Sequence, residues 1–376
     1  MISKKGLYLH IPFCVKKCNY CDFLSAPAAA RETEAYTECL RKEILAYRKY
    51  SYHADTVFFG GGTPSLLSQD SIKRLMETLY TAFHIEEKAE ITMECNPETV
   101  DRGKLAAMKQ AGINRISFGL QSASDRELAL LGRIHSYARF LQAYEAAGGA
   151  GFQNINVDLM SAIPGQSMQS WEETLGKVVN LRPQHISAYS LIIEEGTVFY
   201  DRQEELELPD EDTERKMYYR TKKLLKEAGY ERYEISNFSV PGKESRHNLK
   251  YWSGEEYIGM GLGASSYLEG VRFHNPSGMA EYMADCASLT ALRREEERLT
   301  GKQQMEEFCF LGLRKSSGIS ETEFQERFGR PIGTVYHSVL SGLIRQGLLQ
   351  QRGDRIVLTD WGIDVSNQVL AEFLLD

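Results

Sequence analysis

The sequence predicts an α/β fold: six βαβ units on a mainly parallel sheet, followed by a small helical, winged-helix-like C-terminal domain. Three observations lead there. Short β-rich runs alternate with amphipathic helical runs through the first two hundred or so residues, as in parallel strands joined by crossover helices. The tail, from about residue 299, changes to a helix–hairpin–helix order. The composition is that of an ordinary globular chain, 42% hydrophobic and 26% charged with 10 prolines, which sets aside disordered and collagen-like classes.

The predicted strands are 7–11, 56–59, 90–94, 115–118, 153–158 and 185–189. Helices are predicted over 32–47, 69–83, 102–110, 137–146 and 170–178. Six such units suit either an open, incomplete barrel or a doubly wound sheet, with functional groups where strands run into loops at their C-terminal ends. An acidic stretch with Pro209, 203–212, reads as a solvated linker, followed by a helix over 213–227 and a strand-like run at 233–238. The stretch 276–297 is polar and reads as helical. The expected domains are 1–205, a connecting segment 206–298 that extends the barrel, and 299–376. In the last, Val335, Val339, Leu340, Leu343 and Ile344 recur at helical spacing. Arg352-Gly353-Asp354 reads as a hairpin turn, and Thr359 as the cap of a final helix.

Charge and hydropathy narrow the function. The chain has 44 basic and 52 acidic residues, a net of −8, and its winged-helix-like tail has no basic run, so nucleic acid is not an expected partner. No stretch of about 18 apolar residues offers a transmembrane helix. The apolar run at 7–11 is too short for a signal peptide and ends in Pro12, so the expected compartment is the cytoplasm. Peripheral contact with a membrane and pairing into a homodimer stay compatible with the sequence.

Seven cysteines are present, and three fall within eight residues. Cys39, Cys95, Cys286 and Cys309 are scattered, with Cys309 in an apolar run that reads as buried. Cys14, Cys18 and Cys21 stand at C-x₃-C-x₂-C directly after the first strand. Thiolates at this spacing on one loop can wrap a corner of a four-iron, four-sulfur cluster. Three of them leave one iron free, and the amino and carboxylate groups of S-adenosylmethionine (SAM) suit that open position. Such a pair does radical chemistry while the protein positions it. A zinc site would want a fourth ligand, and His10 is the near candidate.

The segment Tyr8-x-His10-x-Pro12-Phe13-Cys14-x₃-Cys18-x₂-Cys21 resembles the radical SAM family that includes oxygen-independent coproporphyrinogen III oxidase, and the resemblance covers nearly the whole chain. It implies a partial (β/α)₆ barrel, which decides between the two sheet types, and a 4Fe-4S cluster with SAM as cofactors, fed by an electron donor. Gly60-Gly61-Gly62-Thr63-Pro64 follows the second strand, where Gly61, Gly62 and Thr63 would let backbone approach the methionine end of SAM. Glu94 and Asp158, at the expected ends of the third and fifth strands, suit ribose hydroxyls. By order and spacing Gln121 and Arg133 match the family's SAM contacts, Arg133 through its planar fork to the SAM carboxylate. Ile192 matches an adenine-side contact, and Tyr8 falls near SAM.

Two departures argue against decarboxylation of coproporphyrinogen III: Phe23 stands where the oxidase has a further cysteine, and the cluster motif begins at Tyr8 without that enzyme's long N-terminal extension. The run Arg246-His247-Asn248-Leu249-Lys250-Tyr251-Trp252 instead resembles the His-Asn-x-x-Tyr-Trp signature of the haem-chaperone branch. That resemblance implies haem as a bound ligand, His247 as a candidate axial ligand, and a haem-acceptor protein as partner. Whether the chain is also an enzyme is left open; the oxidase activity is the alternative.

Overall fold

The computed structural model describes residues 3–375. Six parallel strands form its centre: β1 (Lys4–Ile11), β2 (His53–Gly61), β3 (His84–Cys95), β4 (Arg115–Gln121), β5 (Ile155–Ser161) and β6 (His185–Ser190). They lie side by side in chain order. The crossovers are α1 (Ala30–Ala46), α2 (Gln69–Ala82), α3 (Arg102–Gln110), α4 (Asp125–Leu130), α5 (Tyr137–Gly149) and α6 (Met168–Leu181). Local chemistry starts four of them, because the side chains of Ser68, Asp101, Ser136 and Ser167 accept backbone N–H groups at the N-termini of α2, α3, α5 and α6.

The strands alternate with a period of two. Leu7, Leu9, Ile11, Val57, Phe59, Ile116, Phe118, Val157 and Leu159 enter one apolar core with the helices. Each such buried side chain contributes about 1.5–3 kcal/mol. The intervening positions are polar, and on that face they bond to one another across strands. Ser117 Oγ donates to Asp158 at 3.1 Å, Asn156 Nδ2 reaches Asp158 at 2.7 Å, and Asn156 Oδ1 lies 2.5 Å from His185 Nδ1. This polar face is what positions the site.

Beyond β6 the chain passes through α7 (Val198–Asp201) and α8 (Glu211–Glu227) to the short strands β7 (Glu231–Arg232) and β8 (Asn237–Ser239). β8 pairs antiparallel with β6 and β7 with β8. After α9 (Arg246–Trp252), β9 (Tyr257–Met260) pairs in parallel with β1. β10 (Ser265–Leu268), β11 (Val271–His274) and, past α10 (Met279–Asp285) and α11 (Leu289–Leu292), β12 (Arg294–Arg298) complete that side. Twelve strands of the described residues thus share one sheet.

Several expectations need correction. The glycine run 259–263 was not predicted as strand, yet it carries β9 and the turn into β10. A Cβ on Gly259 would meet Ser265 O at 2.1 Å, so glycine is what lets these strands approach. The polar stretch 276–297 is only partly helical, since its last part is the edge strand β12. Strand structure near 233–238 is limited to Asn237–Ser239, because Glu234 Oε1 accepts from Ser236 N and Asn237 Nδ2 and bends the preceding residues into a turn. The acidic stretch 203–212 is not a free linker: Leu206 packs on a satellite cluster around Phe199, and Glu207 O accepts from Gly165 N. Asp158 does not end β5, which runs on to Ser161.

The tail has its own apolar core, built on α12 (Gly301–Gly312), α13 (Glu321–Phe328), α14 (Ile332–Val335) and α15 (His337–Arg345). β13 (Ile319–Ser320), β14 (Leu349–Arg352) and β15 (Arg355–Leu358) form its small sheet, with the hairpin turn at Gly353 as read from sequence. The single helix expected over Val335–Ile344 is split at Tyr336. Thr359 caps α16 (Asp360–Asp364), accepting from Gly362 N at 3.0 Å, and α17 (Ser366–Ala371) follows. Among the described residues no helix is long and apolar enough to cross a membrane.

Candidate cluster and cofactor site

A cavity of about 440 Å³ opens at the C-terminal ends of the parallel strands, a size suited to a small-molecule cofactor. Eleven of the thirteen residues singled out from sequence line it: Cys14, Cys18, Cys21, Gly61, Gly62, Thr63, Glu94, Gln121, Arg133, Asp158 and Ile192. Tyr8 and His247 do not.

The three thiols sit on the loop that leaves β1. Backbone hydrogen bonds hold this loop at several points: Cys14 N to Ala26 O at 3.1 Å, Cys21 N to Cys18 O at 3.2 Å, and Asn19 N to Leu131 O at 3.0 Å. The glycine segment after β2 runs alongside, with Gly62 N donating to Ile11 O at 2.8 Å and Thr63 N to Phe13 O at 2.7 Å. A Cβ on Gly62 would lie 2.7 Å from Phe13 O and 3.0 Å from Cys14 Sγ, so this position has room for glycine alone. All three thiols are free and half-buried, whereas Cys39, Cys95, Cys286 and Cys309 are buried. Among the described residues no three His, Cys, Asp or Glu side chains gather as they would around a single metal ion. A cube with its irons at separate corners asks for thiolates set apart on one loop instead.

The far wall is charged. Arg133 spans the strand ends: Nη2 donates to Gly119 O at 2.5 Å, Nη1 lies 3.5 Å from Cys18 Sγ, and Nε is buried without a partner. Glu94 Oε2 accepts from Gly61 N at 3.2 Å. Burial, with the Asp158 carboxylate nearby, pushes the Glu94 carboxyl up to about 8, and burial raises Asp158 as well. Two desolvated acids beside an empty volume are costly unless a ligand supplies donors or positive charge. Gln121 adopts a left-handed backbone (φ +72°) and its Oε1 accepts from Tyr189 OH at 2.8 Å, a strained conformation of the kind that collects at binding sites. At the mouth Ile192 is 67% and Phe23 58% exposed.

The donor set therefore fits the expected cofactors. Thiols would hold a 4Fe-4S cluster, Arg133 would face a carboxylate, and Glu94 and Asp158 would take hydroxyl or ammonium donors.

Sequence reading missed Tyr20, Ser117 and Tyr189, which also line the cavity. Ser117 and Tyr189 were legible only through strand register, because they sit on the same polar face as Glu94 and Asp158. Tyr20, between Cys18 and Cys21, could have been noticed as an aromatic inside the cysteine motif.

Two expected contacts lie elsewhere. Tyr8 OH bonds His10 Nδ1 at 3.0 Å, and its ring stacks on Phe58, so it backs the site from below. His247 is 1% exposed at the opposite end of the strands. Its Nδ1 lies 2.9 Å from Thr56 Oγ1 and its Nε2 2.9 Å from Tyr251 OH. With both ring nitrogens engaged, this imidazole offers no free atom to an iron. As an axial ligand His247 would have to give up one of these bonds, and in this structure α9 closes the strands' N-terminal end with the ring inside. Trp252, in the same motif, stacks under Arg314, which follows the end of α12.

The radical SAM superfamily model matches residues 8–178, and the HemN C-terminal domain model matches 299–365. The chain is 38% identical to the heme chaperone HemW of Lactococcus lactis subsp. lactis, covering 100% of this chain and 99% of that protein. Identity to the heme chaperone HemW of Bacillus subtilis is 36%, over 98% of this chain and 99% of the relative. Among solved structures, the coproporphyrinogen III oxidase HemN from Escherichia coli overlays with a TM-score of 0.87 at 22% identity, covering 99% of this chain and 90% of that one; this is a likeness of fold. A cysteine loop, a glycine cradle and a polar strand face meeting in one cavity, on a fold and sequence shared end to end with these relatives, place the chain in the HemW family of the radical SAM superfamily.

Proposed function

We propose that this protein is a haem chaperone that holds a 4Fe-4S cluster on Cys14, Cys18 and Cys21, takes SAM beside it, and passes haem to an acceptor protein in the cytoplasm. The observation that carries the reading is the shared cavity. Half-buried free thiols, an arginine with an unpaired buried Nε, and two desolvated carboxylates surround a volume of cofactor size. When bound, a cluster with SAM on its open iron supplies one-electron chemistry at a sulfonium. The chain's own residues do the rest. Arg133 would pair with the SAM carboxylate, Glu94 and Asp158 would accept from the ribose or amino group, and the Gly61–Thr63 backbone would lie against the methionine end.

The haem reading is supported by the names of the most similar relatives and by the open apolar side chains at the cavity mouth. Phe23 and Ile192, exposed and lining the cavity, are the surface that a flat macrocycle would cover. An electron donor would reach the cluster through the same mouth. Anaerobic protein loaded with iron and sulfide should shift the Soret band of added haem. With coproporphyrinogen III, SAM and a reductant it should form no protoporphyrinogen IX. Formation of that product, with no Soret shift on haem addition, would overturn the chaperone assignment in favour of an oxidase.

A further inference from the structure

Away from the cavity, α1 and α10 pack together and bring two of the scattered cysteines to one carbonyl oxygen. Cys39 Sγ lies 3.8 Å and Cys286 Sγ 3.5 Å from Met283 O, so the two thiols are neighbours around one acceptor. Cys39 is 7% exposed and Cys286 3%. Neither belongs to the cluster loop. Both lie in the main apolar core, as Cys309 lies in that of the tail, but only Cys39 and Cys286 share an acceptor.

The surroundings tie this pair to the back of the site. Cys39 lies on α1 between Tyr36 and Glu43. Tyr36 OH donates to His10 O at 2.6 Å and accepts from Leu262 N at 2.9 Å, and its ring meets Phe13 edge-on at 5.2 Å. Glu43 is fully buried and takes hydrogen bonds from Tyr282 OH, Asn275 Nδ2 and Gly261 N. Tyr282 is on α10, four residues before Cys286. The α1–α10 contact therefore braces the root of the cysteine loop.

We propose that Cys39 and Cys286 form a reversible disulfide on exposure to a hydroperoxide, stapling α10 to α1 behind the cluster loop. In the first step an S–O bond forms at Cys286 as the peroxide O–O bond breaks, giving a sulfenic acid and water. The Cys39 sulfur then attacks, the S–S bond forms as S–O breaks, and the departing oxygen leaves as a second water with the thiol proton. Two thiols lose two electrons and one hydrogen peroxide gains them. Reaching a bond of about 2 Å requires the two sulfurs to leave Met283 O and close on one another, with a shift of Cys286. That shift is accessible because Cys286 caps a seven-residue helix instead of lying within a long one. Burial pushes the Cys286 thiol up to about 12, against the opposing pull of Lys42, so the reaction is slow at neutral pH and quickens as pH rises.

The test treats the anaerobically purified full chain with hydrogen peroxide, alkylates remaining thiols under denaturing conditions, and maps peptides without reduction. The expected result is a cross-linked pair carrying Cys39 and Cys286, with alkylation lost at both positions in equal measure and restored by dithiothreitol. Cys95 and Cys309 should stay alkylated. Oxidised wild-type protein should melt at a higher temperature than reduced protein, and Cys286→Ala should melt the same before and after treatment. Full alkylation of both cysteines after treatment, their conversion to sulfinic acid, or a linkage to a different partner overturns the proposal. A lower melting temperature in the cross-linked protein overturns the staple.

Discussion

The two ends of the parallel strands each carry a sequence motif, and the structure uses them in opposite ways. At the C-terminal end the cysteine loop, the glycine segment and Arg133 surround an open volume, and they leave polar groups short of partners. At the N-terminal end the charged and imidazole groups of the helix carrying His247, Tyr251 and Trp252 are paired within the fold, although Trp252 Nε1 has no partner and a cavity lies beside Lys250. His247 is bonded on both ring nitrogens, Lys250 is paired with Asp55 at 2.9 Å and Glu255 at 2.8 Å, and Arg246 reaches Lys88 O at 2.8 Å. Both motifs look equally chemical in the sequence. What separates them is how far the fold satisfies their polar groups by itself: the cysteine end leaves an arginine and two buried carboxyls facing one cavity, whereas the ring of His247 is bonded on both nitrogens.

The largest effect that would break this contrast concerns the thiols. Serine at Cys14, Cys18 or Cys21 should abolish cluster uptake, reducing bound iron from about four per chain to near none, with unchanged far-ultraviolet circular dichroism. Iron analysis after anaerobic reconstitution reads it. At the other end His247→Ala should act on stability instead, costing about 2–4 kcal/mol through a cavity and two broken hydrogen bonds. Denaturant unfolding measures the loss. Haem titration of the folded variant should keep its Soret shift, and loss of that shift at unchanged stability would restore His247 as a ligand.

The pH dependence sharpens the contrast, because the ends have opposite signs. Burial, with Lys250 nearby, holds His247 at about 3 in the folded chain against 6.5 when exposed. The unfolded chain therefore binds the extra proton, and the stability from this group, present above pH 6.5, is lost as pH falls toward 3. Glu94 is held at about 8 in the fold against 4.5 when exposed. Its neutral form suits the ligand-free fold, so its contribution is present below pH 4.5 and is lost as pH rises through 8. Thermal melts of apoprotein should show Glu94→Gln stabilising relative to wild type at pH 8.5 and near neutral at pH 4.5. The same variant should weaken SAM binding by roughly tenfold, equivalent to about 1.4 kcal/mol, with iron content unchanged. The smallest effect belongs to Thr56→Val, which removes one hydrogen bond to His247 and should cost about 1 kcal/mol in the same unfolding assay.

Much of this was legible from the chain, for physical reasons. The six central strands are period-two runs with strong apolar alternation, and four of the helices between them begin at side-chain caps, so both carry local signals. The cysteine spacing is local too. β9 to β12 were missed because they are short, rich in glycine or charge, and exist only through pairing with β1 or with one another. The setting of His247 was not legible because a motif states which residues are present, whereas the partners of its ring are Thr56 and Tyr251, and Thr56 lies far away in sequence. Ser117 became visible only when register put it level with Glu94, and Tyr189 when register put it level with Met160, one step along the face from Asp158.

The account stands on three thiols sharing one cavity with a place left beside them. Anaerobic reconstitution of the wild-type chain, followed by iron and sulfide counting with and without SAM, tests it most directly. About four irons and four sulfides per chain are expected, with a cluster spectrum that changes when SAM is added. A chain that takes up no cluster, or whose fully loaded cluster is indifferent to SAM, contradicts it.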